Sequence, residues 1–120
     1  MPTVHVRSLA SDASAAETTL RAVARAVAEV TPCSVSAVWV TFAALEVQTI
    51  GERVVVDDGR IVYVDLWMRR RPEDPEAPAR ALAAACGAAA AGVGVPVEDV
   101  WGTVRLVEPG RVFAGGALVE

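Results

Sequence analysis

Residues 2–9 alternate apolar and polar side chains, Val4 and Val6 against His5 and Arg7, and a period of two predicts a strand beginning almost at the first residue. The period then changes: Leu20, Val23, Val27 and Val30 recur every three or four positions, which predicts an amphipathic helix. Ser14-Ala15-Ala16-Glu17 ahead of it has the spacing of a capping box, and Pro32 stops it. Residues 36–44, SAVWVTFAA, are rich in β-branched and aromatic types and predict a second strand, extended or followed by a short hairpin as far as Val56. Asp57-Asp58-Gly59 marks a turn. The same order then repeats: a strand over Arg60–Met68, a helix from Pro72 to about Ala91 with Gly92 past its end, and a strand over Val100–Val107.

The repetition extends to single residues, since Ala37-Val38-Trp39-Val40-Thr41 is answered by Asp99-Val100-Trp101-Gly102-Thr103, each soon after a proline that closes a helix. The chain therefore reads as one domain of two tandem β-α-β units, 2–58 and 59–120, of α/β (α+β) class. Within each unit the crossover makes the two strands parallel, and two units join into a four-stranded sheet with two helices on one face. The other face is expected to be bare and apolar, and to bury itself against other copies in a symmetric ring.

Composition narrows the chemistry. The chain has 120 residues, 53% of them hydrophobic, and a net charge of −4, so a nucleic-acid partner is not expected. All eleven basic residues are arginine, which excludes Schiff-base catalysis by lysine. No stretch approaches the roughly 20 apolar residues of a membrane span, and a soluble cytoplasmic protein is expected. Cys33 and Cys86 lack metal or disulfide spacing and read as small buried hydrophobes. With one histidine, His5, neither a serine–histidine pair nor a metal site can be drawn, and His5 reads as structural. Asp65, inside an apolar strand, needs a partner if buried and is a candidate second polar group.

Met1-Pro2 leading directly into alternating residues, strand–helix–strand units of about sixty residues, and Phe113-Ala114-Gly115-Gly116 after the last strand together resemble the tautomerase superfamily. The likeness spans the chain and is to the longer, two-unit, trimeric members, with cis-3-chloroacrylic acid dehalogenase as the nearest named type. It implies the tautomerase (MIF-like) fold, a homotrimer, no cofactor and a small carboxylate substrate.

Under that resemblance Pro2 is the catalytic residue once Met1 is excised: the free secondary amine, held uncharged by an apolar pocket, takes a proton α to a carbonyl. Arg69 and Arg71, able to share a face by strand alternation while Arg70 points away, are implied to bind the substrate carboxylate. Phe113 is implied to line the pocket and Trp101 to form an apolar wall. Arg7, Arg105 and Arg111 are further cations that could reach it from a neighbouring unit. The second unit begins near Ile61, which is internal and has no free amine, so one site per chain is expected. The slots nearest to the dehalogenase's assisting tyrosine, histidine and additional acid hold residues such as Thr103, Ala114 and Ala28. The implied reaction is tautomerisation or isomerisation of a 2-oxo or 2-hydroxyalkenoate acid. The alternatives are Pro2-dependent hydration, dehalogenation or decarboxylation, and a non-catalytic trimeric binding protein of the same fold.

Overall fold

The period-two run at the start of the chain forms β1 (Thr3–Leu9), with Val4 and Val6 fully buried and Thr3, His5 and Arg7 facing the other way. The computed structural model describes residues 2–9, 13–55 and 60–119. The turn expected at Asp57-Asp58-Gly59, together with Met1, Asp12 and Val56, lies outside the described residues. After β1 come α1 (Ala13–Val30), β2 (Trp39–Leu45) and a hairpin of β3 (Gln48–Ile50) and β4 (Arg53–Val55). The second half follows with β5 (Val62–Arg69), α2 (Ala77–Val93), β6 (Val100–Val107) and a hairpin of β7 (Val112–Ala114) and β8 (Ala117–Val119).

The architecture is α+β, a four-stranded mixed sheet in the order β2-β1-β5-β6. Strands β1 and β2 are parallel, β5 and β6 are parallel, and the central pair β1 and β5 is antiparallel. Both helices pack on one face, over Val4, Val6, Val62, Val64, Leu66 and Met68. Val23 and Val27 of α1 meet the sheet, and α2 presents Ala77, Ala81, Ala85 and Ala89, one per turn and all fully buried. Small side chains on that stripe let the helix axis approach closely. No helix among the described residues is long and apolar enough to cross a membrane.

Several boundaries differ from expectation. Helix α1 begins at Ala13, so Ser14 lies inside the first turn rather than at its cap, and Glu17 instead pairs with Arg21 one turn on at 2.6 Å. Helix α2 begins five residues later than Pro72 and runs beyond Ala91. Residues 72–76 form turns, because Pro75 disfavours a helical Asp74, and the helix starts with Pro78 in its first turn. Gly92 lies within α2, where an added Cβ would collide with Thr19 of α1, and the helix ends instead at Gly94, in the left-handed region at φ 86°. Gly115 and Gly116, at φ 62° and 84°, form the tight turn between β7 and β8, for which two positive-φ residues are required.

The face away from the helices is not simply apolar. It carries Trp39, Trp67 and Trp101, all exposed, but they alternate with a charged and hydroxyl-bearing layer. Strand alternation assigns His5, Arg7, Asp65, Thr103 and Arg105 to that face, and the sequence reading underestimated how many of them it gathers.

Candidate active site

Register sets the open face in rows. Trp39, Thr3, Trp67 and Arg105 form one row across the four strands, and Thr41, His5, Asp65 and Thr103 form the next. His5 Nδ1 lies 2.6 Å from Thr41 Oγ1. Asp65 accepts hydrogen bonds from Arg7 Nη2 at 3.2 Å and Thr103 Oγ1 at 2.7 Å, so this half-buried carboxylate has the partners its position demands. Arg7 stacks over Tyr63 at 5.3 Å and Arg105 over Trp67 at 5.2 Å.

Where β1 begins and β5 ends, a cleft of about 330 Å3 opens between Thr3, His5, Trp67, Met68, Arg69, Val107 and Val112. Its walls are mostly apolar and one guanidinium, Arg69, stands in its lining, a combination suited to a small organic anion. Pro2 is fully buried immediately before Thr3, and its carbonyl accepts the Trp39 N–H at 3.1 Å. Because Thr3 pairs with Trp67, Pro2 falls one step along, opposite Met68 and in the same parity as the helix-facing Val4 and Val6, and it is not among the residues that line the cleft.

Arg69, Arg70 and Arg71 together line an adjoining hollow of about 270 Å3 with Pro72, Glu73 and Pro109. Arg70 is engaged elsewhere, its Nε donating to Glu108 at 2.6 Å and its backbone N–H to Val107 O. Arg71 Nε is buried and has no hydrogen-bond partner among the described residues. A buried guanidinium nitrogen left unpaired is unfavourable unless an acceptor arrives.

The other expected lining residues stand apart from the cleft within one chain. Phe113 is 70% exposed on its hairpin, although its neighbour Val112 lines the cleft. Trp101 is 65% exposed and lines a different hollow with Ile50, Ile61, Tyr63, Glu98 and Asp99. It lies six residues along β6 from Val107, about 20 Å at the rise of a strand. Arg111 is exposed and lines no hollow described above.

Cleft residues that sequence reasoning left out are Thr3, Trp67, Met68, Val107 and Val112, and His5 was read as structural only. Parity was the available signal, since Thr3 and His5 share one face of β1 and Trp67 and Arg69 one face of β5. Gln48 gave no signal at all. It is buried and clamps the start of β5, its Nε2 donating to Ile61 O and its Oε1 accepting the Ile61 N–H, both at 2.8 Å. The peptide at the start of the second unit is thereby closed off. Both cysteines are free and partly buried; burial raises the Cys86 thiol above its ordinary range, away from thiolate reactivity.

No protein-family model matches the chain, and no curated protein sequence matches it. Solved structures do. Pt0534, determined after inactivation by 2-oxo-3-pentynoate, superposes with a TM-score of 0.83 at 14% identity, over 98% of this chain and 94% of that one. A fused 4-OT described as a wild-type symmetric trimer gives 0.80 at 18% identity, over 98% and 94%. N1, a member of the cis-3-chloroacrylic acid dehalogenase family, gives 0.80 at 16% identity, over 98% and 83%. At these identities the likeness speaks for architecture, and on that ground the fold of this chain is the tautomerase-superfamily fold.

Proposed function

We propose that this chain is a cofactor-independent tautomerase or isomerase of the tautomerase superfamily, in which Pro2, freed by removal of Met1, is the general base. The observation that carries the reading is the burial of Pro2 at the start of β1, one residue from an apolar cleft lined by Arg69. An apolar surround disfavours the charged form of a secondary amine, which is the condition for a Pro2 nitrogen freed of Met1 to act as a base. Arg69 holds the substrate carboxylate through two charge-assisted hydrogen bonds, and the unpartnered Arg71 Nε is a second donor nearby. The amine takes the proton from the carbon α to the carbonyl, the guanidinium stabilises the enolate, and the resulting ammonium returns the proton to the other end of the conjugated system. No electron acceptor or metal is required for that exchange. The substrate is a small 2-oxo or 2-hydroxyalkenoate acid.

The same reading includes a homotrimer. Trp39 and Trp101 are exposed on the two edge strands, and Phe113 and Leu118 on the last hairpin. Neighbouring copies cover these residues, and Trp101 and Phe113 serve as apolar walls for the cleft of an adjoining copy.

Intact-mass measurement of the purified protein, followed by a screen of phenylenolpyruvate, 2-hydroxymuconate and 3-haloacrylates with wild type and Pro2→Ala, tests the proposal. The expected results are a mass lacking Met1 and a fall in kcat of about a hundredfold or more in Pro2→Ala. A rate that falls on the acid side of its pH profile marks Pro2 as a base. One that falls on the alkaline side marks it as an acid, in hydration, dehalogenation or decarboxylation. Retention of Met1, or no substrate that distinguishes the two proteins, refutes the proposal and favours a non-catalytic binding protein.

A further inference from the structure

Pro72, Pro75 and Pro78 follow the arginine triplet, and none has a backbone N–H to give. Among the described residues, the turn between β5 and α2 is therefore held by few main-chain bonds, from Asp74 N–H to Arg71 O at 3.0 Å and from Ala77 N–H to Asp74 O at 3.1 Å. Asp74 takes part in both, and its side chain accepts a hydrogen bond from Arg80 Nη2 at 2.7 Å. The same guanidinium donates from Nε to the carbonyl of Val30 at 3.2 Å. Val30 is the last residue of α1, where a helix leaves carbonyls unsatisfied and favours a cation. One continuous path thus runs from the end of α1 through Arg80 and Asp74 to the peptide of Arg71. Both helices lie on the far side of the sheet from the face that neighbouring copies cover. The Arg80 hydrogen bond, above all, holds the Asp74 carboxyl below its ordinary range, so the contact persists as a charged pair at neutral and mildly acidic pH.

We propose that Arg80 is a positioning residue for the carboxylate-binding end of the site: through Asp74 it fixes the turn that carries Arg71, so that Arg71 meets the substrate in one geometry. The inference rests on the reading of Arg71 as a donor to the substrate carboxylate. An exposed ion pair contributes little to stability, so the importance of this one is geometric. A guanidinium fork matches a carboxylate only when its plane is correctly set, and a displacement of about 1 Å in such a group is costly to function. Without Arg80, Asp74 keeps its main-chain bonds but loses its tie to α1. Arg71 then samples several orientations, and affinity for the anion falls.

Calorimetric binding of phenylpyruvate to wild type, Arg71→Ala, Arg80→Ala, the double variant, Arg80→Lys and Asp74→Asn tests this. Arg21→Ala, which removes a cation from another exposed ion pair, is the control. Arg71→Ala should raise Kd about tenfold, and Arg80→Ala about three- to fivefold. The double variant should bind no more weakly than Arg71→Ala, because Arg80 acts only through Arg71. Arg80→Lys, which can reach Asp74 but has no fork to span both partners, should recover part of the loss. Asp74→Asn keeps the side-chain shape and should weaken binding as Arg80→Ala does; it carries the comparison if Arg80→Ala does not fold. Additive losses in the double variant, or an equal loss in Arg21→Ala, would mean that Arg80 acts through general structure or net charge, and overturn the inference. So would wild-type affinity in Arg80→Ala while Arg71→Ala is weakened, which leaves the Arg71 reading intact. No binding to wild type, or wild-type affinity in Arg71→Ala, overturns that reading and the inference together.

Discussion

Arg69, Arg70 and Arg71 are chemically identical side chains in consecutive positions, and their neighbours alone distinguish them. Arg70 is tied to Glu108, thirty-eight positions away, by the register of β5 on β6. Arg69 lines the cleft, and Arg71 carries the unpartnered nitrogen. Substitution should therefore separate them. If Arg69 holds the substrate carboxylate bidentately, Arg69→Ala loses roughly 1.5–3 kcal/mol of binding, which is about 10- to 150-fold in KM. Arg70→Ala breaks an exposed ion pair whose worth is at most about 1 kcal/mol, and steady-state kinetics should change by less than about fivefold. Equal effects from both would show that the triplet acts only as a diffuse positive patch. The sequence made these arginines visible as candidates through their chemistry and their position at the end of a strand. Strand alternation already set Arg70 apart from Arg69 and Arg71, but it could not supply the partner that engages Arg70, because a residue thirty-eight positions away leaves no local trace.

Among the secondary elements, α2 shows the same limit. A glycine after a run of alanines reads as a helix stop, and Gly92 fits that reading by type, yet the helix continues through it to Val93. The reason is tertiary: α1 crosses so close that only a hydrogen fits at position 92 against Thr19. Gly87, in the same helix, faces open space. Two opposite outcomes follow for one kind of change. Gly87→Ala should raise the melting temperature, since alanine in a helix interior is favoured over glycine by about 1 kcal/mol. Gly92→Ala should lower it despite the same propensity gain, because overpacking a tight contact costs roughly 1–3 kcal/mol. Thermal denaturation followed by circular dichroism distinguishes them, and a rise in both variants would mean that the helices separate easily at Thr19. The strands were more legible than the helix ends, because period-two alternation in β1 and β5 reports directly which side faces the core. Gln48 was illegible for the opposite reason: its two hydrogen bonds substitute for a backbone ladder, and no sequence pattern announces a side chain doing so.

For the molecule as a whole, the unsolved problem of the isolated chain is its open sheet face and two unpaired edges. Edge strands offer free backbone groups to other chains, and here β2 and β6 each also hold out a tryptophan, Trp39 at 54% and Trp101 at 65% exposure. The charges on the face do not oppose coverage as isolated charges would, since Asp65 is already met by Arg7 and Thr103 within the chain. A ring in which unlike surfaces of successive copies meet closes both edges at once, and closure limits the assembly to a fixed number of copies. The sequence led to the expectation of such a ring from helices on one side only, while the polar layer across the face emerged only when register brought β1, β5 and β6 together. Light scattering at micromolar concentration should accordingly give a mass near three times the 12.5 kDa of one chain. Trp39→Glu puts a charge into the joint without touching the core, so it should yield a folded species near the single-chain mass. On the proposal that Trp101 and Phe113 wall the cleft of an adjoining copy, its turnover should fall as well. A wild type that stays at the single-chain mass, or a dissociated Trp39→Glu with full activity, would mean that each copy works alone and that the exposed aromatics serve something other than the site.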